Sequence, residues 1–228
     1  MSKRARLFAA SLVLAIAAVF AWRLQATPPA AITSEPPQRP LSEYGQTSAG
    51  IPGAHNPDHF GVVVDDLDAT LKWCTTVLGA DLLWTAGPFR DPLNNPARYE
   101  VDGRAVSRVA MLRLGPNINF EVKEAPFPGQ IKHFPRNADV GSPHIAFYVD
   151  DLQIASDYLQ KHGAHLLAGP FKPGGAAKKG EEIRYFQAPF GMYMEIVHRP
   201  DHLPYEAQTA ARLYGPAPSW KQDRPWAR

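Results

Sequence analysis

Two stretches of alternating apolar and small or polar residues lie 85 positions apart in the chain and end in the same three letters. Residues 59–67 read HFGVVVDDL, and residues 144–152 read HIAFYVDDL. A period of two over six residues predicts a β-strand at each place, over 59–64 and 144–149. Because aspartate is a preferred residue at helix N-termini, each strand should lead directly into a helix.

Each predicted helix shows apolar residues at the helical period and stops at a glycine. The apolar positions are Leu67, Leu71, Cys74 and Leu78 in the first helix and Leu152, Ala155 and Leu159 in the second. Gly79 and Gly163 follow, as is typical of helix C-termini. Three short strands are predicted after each helix, at about 80–85, 108–114 and 117–123 and at about 164–168, 182–187 and 192–198.

The similarity between the halves extends beyond these elements. The letters AGPF occur at 86–89 and again at 168–171, and the last strands carry EVKEAP from 121 and EIVHRP from 195. Internal repetition of this kind indicates a duplicated unit. The sequence therefore predicts an α+β fold of two tandem βαβββ modules, about 57–126 and 142–200, within one domain over 54–200. Pseudo-twofold symmetry between the modules would bring their curved sheets together as a cup.

The flanking segments differ in composition from this domain. Residues 1–26 place Lys3, Arg4 and Arg6 before a 16-residue apolar run over 7–22, which is the layout of a secretory signal. The run is slightly short for a membrane span and its cleavage pattern is poor, so a cleaved signal peptide and an uncleaved membrane anchor both remain open. Either one places the domain outside the cytoplasm, as a periplasmic or exported protein with or without a tether to the inner membrane. Residues 27–53 are predicted to be a proline-rich linker, and residues 201–228 an irregular C-terminal tail.

Charge and cysteine content exclude two classes of function. Of the 24 Lys and Arg residues, four lie in residues 1–26, which contain no acid, so 20 basic residues stand against 22 acidic ones elsewhere. This balance gives no electrostatic basis for nucleic-acid binding. The single cysteine, Cys74, cannot form an internal disulfide, and its helical spacing predicts a buried side chain rather than a reactive thiol.

Strand alternation separates an apolar face from a face that carries one histidine and one glutamate in each half. His59 and His144 begin the first strands, each next to a small residue on its own face, and Glu121 and Glu195 lie on the corresponding face of the last strands. Two imidazoles and two carboxylates suit a divalent ion such as Zn²⁺, Ni²⁺, Co²⁺, Mn²⁺ or Fe²⁺. Because the four residues hold equivalent positions of a repeat, we predict that they converge on one metal ion, which would keep positions open for a small chelating substrate.

Paired βαβββ units that open on a histidine-led strand ending in Asp-Asp-Leu and close on a glutamate-bearing strand resemble the vicinal oxygen chelate superfamily. This group includes glyoxalase I, methylmalonyl-CoA epimerase, extradiol dioxygenases and fosfomycin-resistance proteins. The resemblance covers about residues 57–200 and implies a cup-shaped mixed β-sheet with the helices outside. Some members complete the cup by pairing halves across a homodimer. Residues 187–192, QAPFGM, replace the family's usual Asp-Pro-Asp-Gly-Asn turn, which favours an unusual substrate.

The resemblance also implies a chemistry. Glyoxalase I-like members use a carboxylate at the end of both halves, which matches Glu121 and Glu195, and this favours a metal-dependent lyase or isomerase working through an enediolate-like intermediate. Either glutamate would act as the base, with Glu195 slightly favoured. Two alternatives stay open: an extradiol-type dioxygenase using His59, His144 and Glu195, and a non-catalytic protein that binds a small molecule in the cup. Whether the site lies within one chain or across a homodimer is also open.

Overall fold

A computed structural model describes residues 50–90, 106–173 and 178–220 of the chain. The predicted signal or anchor and most of the predicted linker lie outside these residues and stay predictions. Within the described part of the chain, no helix has the length and apolar character needed to cross a membrane.

The first half folds as one helix and a four-stranded mixed sheet. Its elements are β1 (Phe60–Val63), α1 (Leu67–Thr76), β2 (Asp81–Arg90), β3 (Val106–Leu114) and β4 (Ile118–Glu124). The strand order is β1-β4-β3-β2, with β1 parallel to β4 and the other pairs antiparallel. This is the predicted βαβββ unit.

The second half repeats the arrangement. Its elements are β5 (His144–Tyr148), α2 (Leu152–Lys161), β6 (His165–Leu166), β7 (Glu182–Gln187) and β8 (Tyr193–His198). The order β5-β8-β7-β6 and the parallel β5–β8 pair reproduce the first sheet. The predicted α+β class with two tandem modules is therefore confirmed. The described strands pair within each module and not between modules, so the cup stays a prediction for the assembled protein.

The predicted helix boundaries have the expected local causes. The Asp66 carboxylate accepts a hydrogen bond of 2.9 Å from the Ala69 backbone N–H, and Asp151 accepts two at the start of α2. Beyond the helix ends, Gly79 and Gly163 have φ angles of +68° and +87°, a region that favours glycine. Local sequence thus fixes where both helices begin and where the chain turns after them.

Two strand lengths differ from the prediction by more than two residues. Strand β2 continues to Arg90 because register shifts after Leu82 and after Ala86 allow it to keep pairing with β3. Its counterpart β6 has only two residues, and the chain returns to β7 later through an isolated bridge between Phe171 and Ile183. The two copies therefore differ most at their outer strands.

A single hydrophobic core joins the two halves. It contains residues from both helices and from the helix-facing sides of both sheets, including Val62, Cys74, Phe120, Ile145 and Phe186. Side chains also cross between the helices: Trp73 Nε1 donates to the His162 carbonyl, and Tyr158 Oη donates to the Val77 carbonyl, both at 3.0 Å. The opposite face of each sheet, which carries the predicted metal ligands, is therefore turned away from this core.

The chain after β8 forms a strap over the domain, defined here as residues 200–220. It contains a short 3₁₀ helix (Pro204–Ala207) and buries Leu203. Its last described residue, Trp220, contacts both halves. Nε1 donates to the Gly79 carbonyl of the first half at 3.0 Å, and the indole lies 6.0 Å from the Phe147 ring of the second half. The described part of the tail is thus anchored at its end, although it contains little regular structure.

Candidate functional site

The site face of each sheet is built as the strand alternation predicts. On the first strands, Val62 and Ile145 are buried, whereas Gly61 and His144 are exposed on the other face. The parallel registers place Gly61 beside Glu121 and Ala146 beside Glu195. Histidine and glutamate from the two neighbouring strands of each sheet therefore meet on one surface.

The first half brings His59 and Glu121 together. His59 Nε2 lies 3.4 Å from Glu121 Oε2, and the other ring nitrogen, Nδ1, lies 2.6 Å from Asp58 Oδ2. A carboxylate on the second ring nitrogen fixes the orientation of a histidine, as in many metal-ligating histidines. Lys123 Nζ also approaches Glu121 Oε2, at 2.7 Å.

Gly61 leaves room for this carboxylate. A Cβ atom at this position would lie 3.2 Å from Glu121 Oε2, closer than ordinary van der Waals contact. The φ angle of Gly61 is not in the left-handed region, so the backbone does not require glycine here. The residue is needed for space beside the glutamate.

The second half brings His144 and Glu195 together in the same way. His144 Nε2 lies 3.4 Å from Glu195 Oε2, and the Glu195 side chain is only 9% exposed. Tyr185 lies opposite Glu195 in the β7–β8 ladder and packs edge-on against the His144 ring, with centroids 5.5 Å apart. Burial, and then the negative charge of Glu195, raises the pKa of Tyr185. The glutamate of this half thus has a tyrosine neighbour instead of a lysine.

Each His–Glu pair has the separation expected of two ligands on one ion. Two donors that lie about 2.1 Å from a common Zn²⁺-like ion at a tetrahedral angle are about 3.4 Å apart. The structure therefore forms two His–Glu pairs, one on each sheet, which we name half-sites; that they bind a metal ion stays a prediction. In the described ranges, no group of three or more His, Cys, Asp or Glu side chains is arranged to hold a metal ion. The convergence of all four ligands stays a prediction for an assembly that brings the two site faces together.

The site face of the first sheet exposes apolar side chains around its pair. The exposed fractions of Val63, Trp84 and Phe89 are 44%, 46% and 48%. Strand register puts Val63 beside Lys123. Trp84 pairs with Met111, which in turn pairs with Glu121. A cavity of about 610 Å³ lies along β1 and the segment 125–143; its lining includes Gly61 and Val63 but neither His59 nor Glu121. This volume is in the range of small-molecule sites.

The family of the chain follows from sequence comparison. Residues 58–185 match the model of the Glyoxalase/Bleomycin resistance protein/Dioxygenase superfamily. This range contains His59, directly before β1, Glu121 on β4 and His144 on β5. The chain belongs to this superfamily.

Two relatives illustrate the membership. A 2-epi-5-epi-valiolone epimerase from Actinomyces sp is 38% identical over 181 residues, which are 78% of this chain and 98% of that protein. The crystal structure of a glyoxalase family protein from Bacillus cereus has 19% identity and a TM-score of 0.51 and covers 65% of this chain and 98% of that chain. The second similarity concerns the superfamily fold alone.

Strand alternation predicts the sheet face of the four ligand candidates but not their neighbours, and their role as ligands stays a prediction. Lys123 follows Glu121 by two residues and so shares its face, a signal that strand alternation already contained. Tyr185 could not be found in this way, because its approach to Glu195 depends on the β7–β8 register. Buried Cys74, with no exposed surface, is confirmed as a core residue.

Proposed function

We propose that this chain is a metal-dependent epimerase that inverts a carbon next to the carbonyl of a small, oxygen-chelating hydroxy ketone. The duplicated His–Glu pair, at 3.4 Å in both halves, is the observation that carries this proposal. The similarity to a 2-epi-5-epi-valiolone epimerase supports isomerase chemistry over the glyoxalase lyase reaction and over ring cleavage. The proposed substrate is that ketone or a close relative of it.

The residues fit a divalent ion as two halves of one donor set. His59 and Glu121 would hold it from one side, and His144 and Glu195 from the other. Such an ion would supply Lewis-acid chemistry toward the substrate carbonyl oxygen. The donor set suits several divalent ions, from Zn²⁺ to Mn²⁺.

Inversion requires that a proton leaves one face of the carbon and that another arrives on the opposite face. Glutamates from two different halves suit this task, because they approach the substrate from two sides. Glu195 is the better base, since its Oε2 has only His144 within ion-pair distance among the described residues. Glu121 Oε2 is already occupied by Lys123 Nζ, so Glu121 together with Lys123 is assigned to proton return.

A second copy of the chain completes the site in this proposal. Each pair lies on a sheet face turned away from the core that the two halves share, so the pairs of one chain point apart. Two further observations support a homodimer: His59 and His144 side chains are 37% and 41% exposed, and apolar residues surround the first pair. In a twofold dimer, the first pair of each copy would face the second pair of its partner.

The prediction that the reaction takes place outside the cytoplasm rests only on the sequence pattern of residues 1–26. A reporter enzyme that is active only outside the cytoplasm, fused after residue 53, should be active in cells. Activity only of a cytoplasmic reporter at the same position would contradict export.

The reaction itself is tested by proton NMR in D₂O with 2-epi-5-epi-valiolone, the full chain and one added divalent ion at a time. An epimerase places solvent deuterium on the carbon that it inverts, and this exchange should stop with a chelator and in Glu195→Gln. The control is Glu182→Gln, which makes the same change at a residue paired with Lys172. Metal-loaded protein that exchanges no deuterium would overturn the proposal, and oxygen uptake with catechols would favour a dioxygenase.

A further inference from the structure

A second polar cluster lies on the same face as the His144–Glu195 pair. Arg199 Nε donates to Glu181 Oε1 at 3.0 Å, and Arg199 Nη1 donates to Tyr148 Oη at 2.7 Å. The guanidinium carbon also lies 5.1 Å from the centre of the Tyr148 ring. We name Glu181, Arg199 and Tyr148 the second-half triad.

One oxygen of the triad has no partner among the residues that the structure describes. Glu181 is 1% exposed, and its Oε2 is buried without a hydrogen bond from any described residue. An unpaired buried acceptor is costly, more so when it carries charge, and it therefore calls for a partner that the described residues do not supply. Arg199, with its side chain 22% exposed, also has no acceptor for Nη2 among the described residues, so the triad presents one acceptor and one donor.

The triad is adjacent to the metal half-site. On β5 the register places Ala146 beside Glu195 and Tyr148 beside Val197, the next position on the same face. Successive positions on one face of a strand are about 7 Å apart, which is within the reach of one small molecule. Tyr185 lies between the two clusters, since it faces Glu195 in the β7–β8 ladder and follows Glu181 by four residues, on the same face.

The duplication shows that the triad is not part of the common scaffold. The strand registers allow the two halves to be compared position by position, with Glu121 corresponding to Glu195. The triad residues Tyr148, Glu181 and Arg199 then correspond to Val63, Ser107 and Ala125 of the first half. Both halves keep the His–Glu pair, and only the second half has the triad. A metal ion can be held symmetrically, but a substrate is asymmetric, so residues present in one half alone are suited to recognising it.

We propose that the second-half triad binds neighbouring hydroxyl groups of a neutral polyhydroxylated substrate. Glu181 Oε2 accepts a hydrogen bond from one hydroxyl, and Arg199 Nη2 donates to the next. Because the charges of Glu181 and Arg199 cancel, the triad favours a neutral polyol over an anion. Tyr148 Oη now donates to the Tyr214 carbonyl of the strap at 2.9 Å, an acceptor that a substrate hydroxyl can replace. The inference rests on the proposed function for the identity of the polyol, a hydroxylated cyclic ketone.

The test uses myo-inositol, a neutral cyclic polyol without a carbonyl, titrated into the full chain and followed by protein NMR in the presence of a chelator. The expected result is saturable binding that weakens about tenfold or more in Glu181→Gln, which puts an N–H donor in place of the free acceptor. Glu182→Gln, on the opposite face of β7, should bind like wild type. Tyr148→Phe should also weaken binding, and it decides the matter if Glu181→Gln does not fold.

The outcomes separate this inference from the proposed epimerase. Equal binding by wild type, Glu181→Gln and Tyr148→Phe, or no binding at all, overturns the triad as a polyol site. Binding of inorganic phosphate in place of inositol overturns it too, in favour of an anion site at Arg199. Since the chelator removes any metal, inositol binding that depends on Glu181 supports the inference even if no deuterium exchange is ever observed. Deuterium exchange without inositol binding supports the epimerase alone.

Discussion

Lys123 Nζ lies 2.7 Å from Glu121 Oε2, the same oxygen that lies 3.4 Å from His59 Nε2. In the second half, the position of Lys123 is taken by Val197, and Glu195 has no lysine partner. The two glutamates therefore hold equivalent places in the fold but have different electrostatic surroundings. This difference in surroundings is what the separate roles proposed for the two carboxylates require.

Lys123→Met should bind a divalent metal ion about tenfold more tightly than wild type. The ammonium group repels a cation a few ångströms away by about 1 kcal/mol or more, and salt weakens this repulsion. Competition with a metal-sensitive dye gives the affinity. Lys132→Met, which removes the same charge from a pair with Asp65, is the control. Unchanged affinity in Lys123→Met, or an equal gain in Lys132→Met, would contradict the prediction.

A site shared between two copies predicts complementation of two defective chains. His59→Ala and His144→Ala should each lose bound metal, measured by elemental analysis of the full chain. A heterodimer of the two, isolated through different tags, should recover about half of the wild-type metal, because one of its two sites then combines both intact pairs. If every site lay within one chain, the heterodimer would contain almost none. Wild-type protein that binds no metal would contradict the metal centre altogether.

Gly61→Val should weaken metal binding by about tenfold, with little change in thermal stability in the absence of metal. The new side chain would start 3.2 Å from Glu121 Oε2 and displace the carboxylate. The control is Gly215→Val, where an added Cβ meets no atom within 4 Å. Metal titration and thermal unfolding of both variants distinguish a lost ligand from a lost fold. Normal metal binding by Gly61→Val would mean that Glu121 is not a ligand.

Cys74 should be inert in the folded protein. Burial raises the pKa of its thiol to about 12 from an ordinary value of 9.0, so the reactive thiolate is scarce at neutral pH. A disulfide reagent at pH 8 should label Cys74 only after denaturant is added. As the pH rises above about 9, the unfolded chain loses this proton first, so the stability that the buried thiol contributes should decrease. Rapid labelling without denaturant would show that the first half opens locally.

The sequence predicts what depends on local pattern. Strand alternation and the aspartate caps place β1, α1, β5 and α2 correctly, because each needs only a few neighbouring residues. The His–Glu pairing also follows, since equivalent positions of a repeat meet equivalent partners. The separation of the two pairs could not be predicted, because it depends on how the helix faces of two modules pack into one core. The triad could not be predicted for a related reason. Glu181 and Arg199 meet through the register of β7 and β8, and the equivalent positions of the first half have different residues.

The anchoring of Trp220 bears on how the whole domain comes apart. Its indole fits against Gly79 and Gly115 of the first half, where added Cβ atoms would lie 3.3 Å and 3.0 Å from the ring. The second half is connected to the first by the chain at its N-terminal end. At its C-terminal end, Trp220 contacts the first half again. Separation of the two modules would break the contacts of Trp220 with one of them. Because the two halves also share one hydrophobic core, they should melt in one cooperative transition, and removal of the strap from residue 200 onward should lower its midpoint temperature.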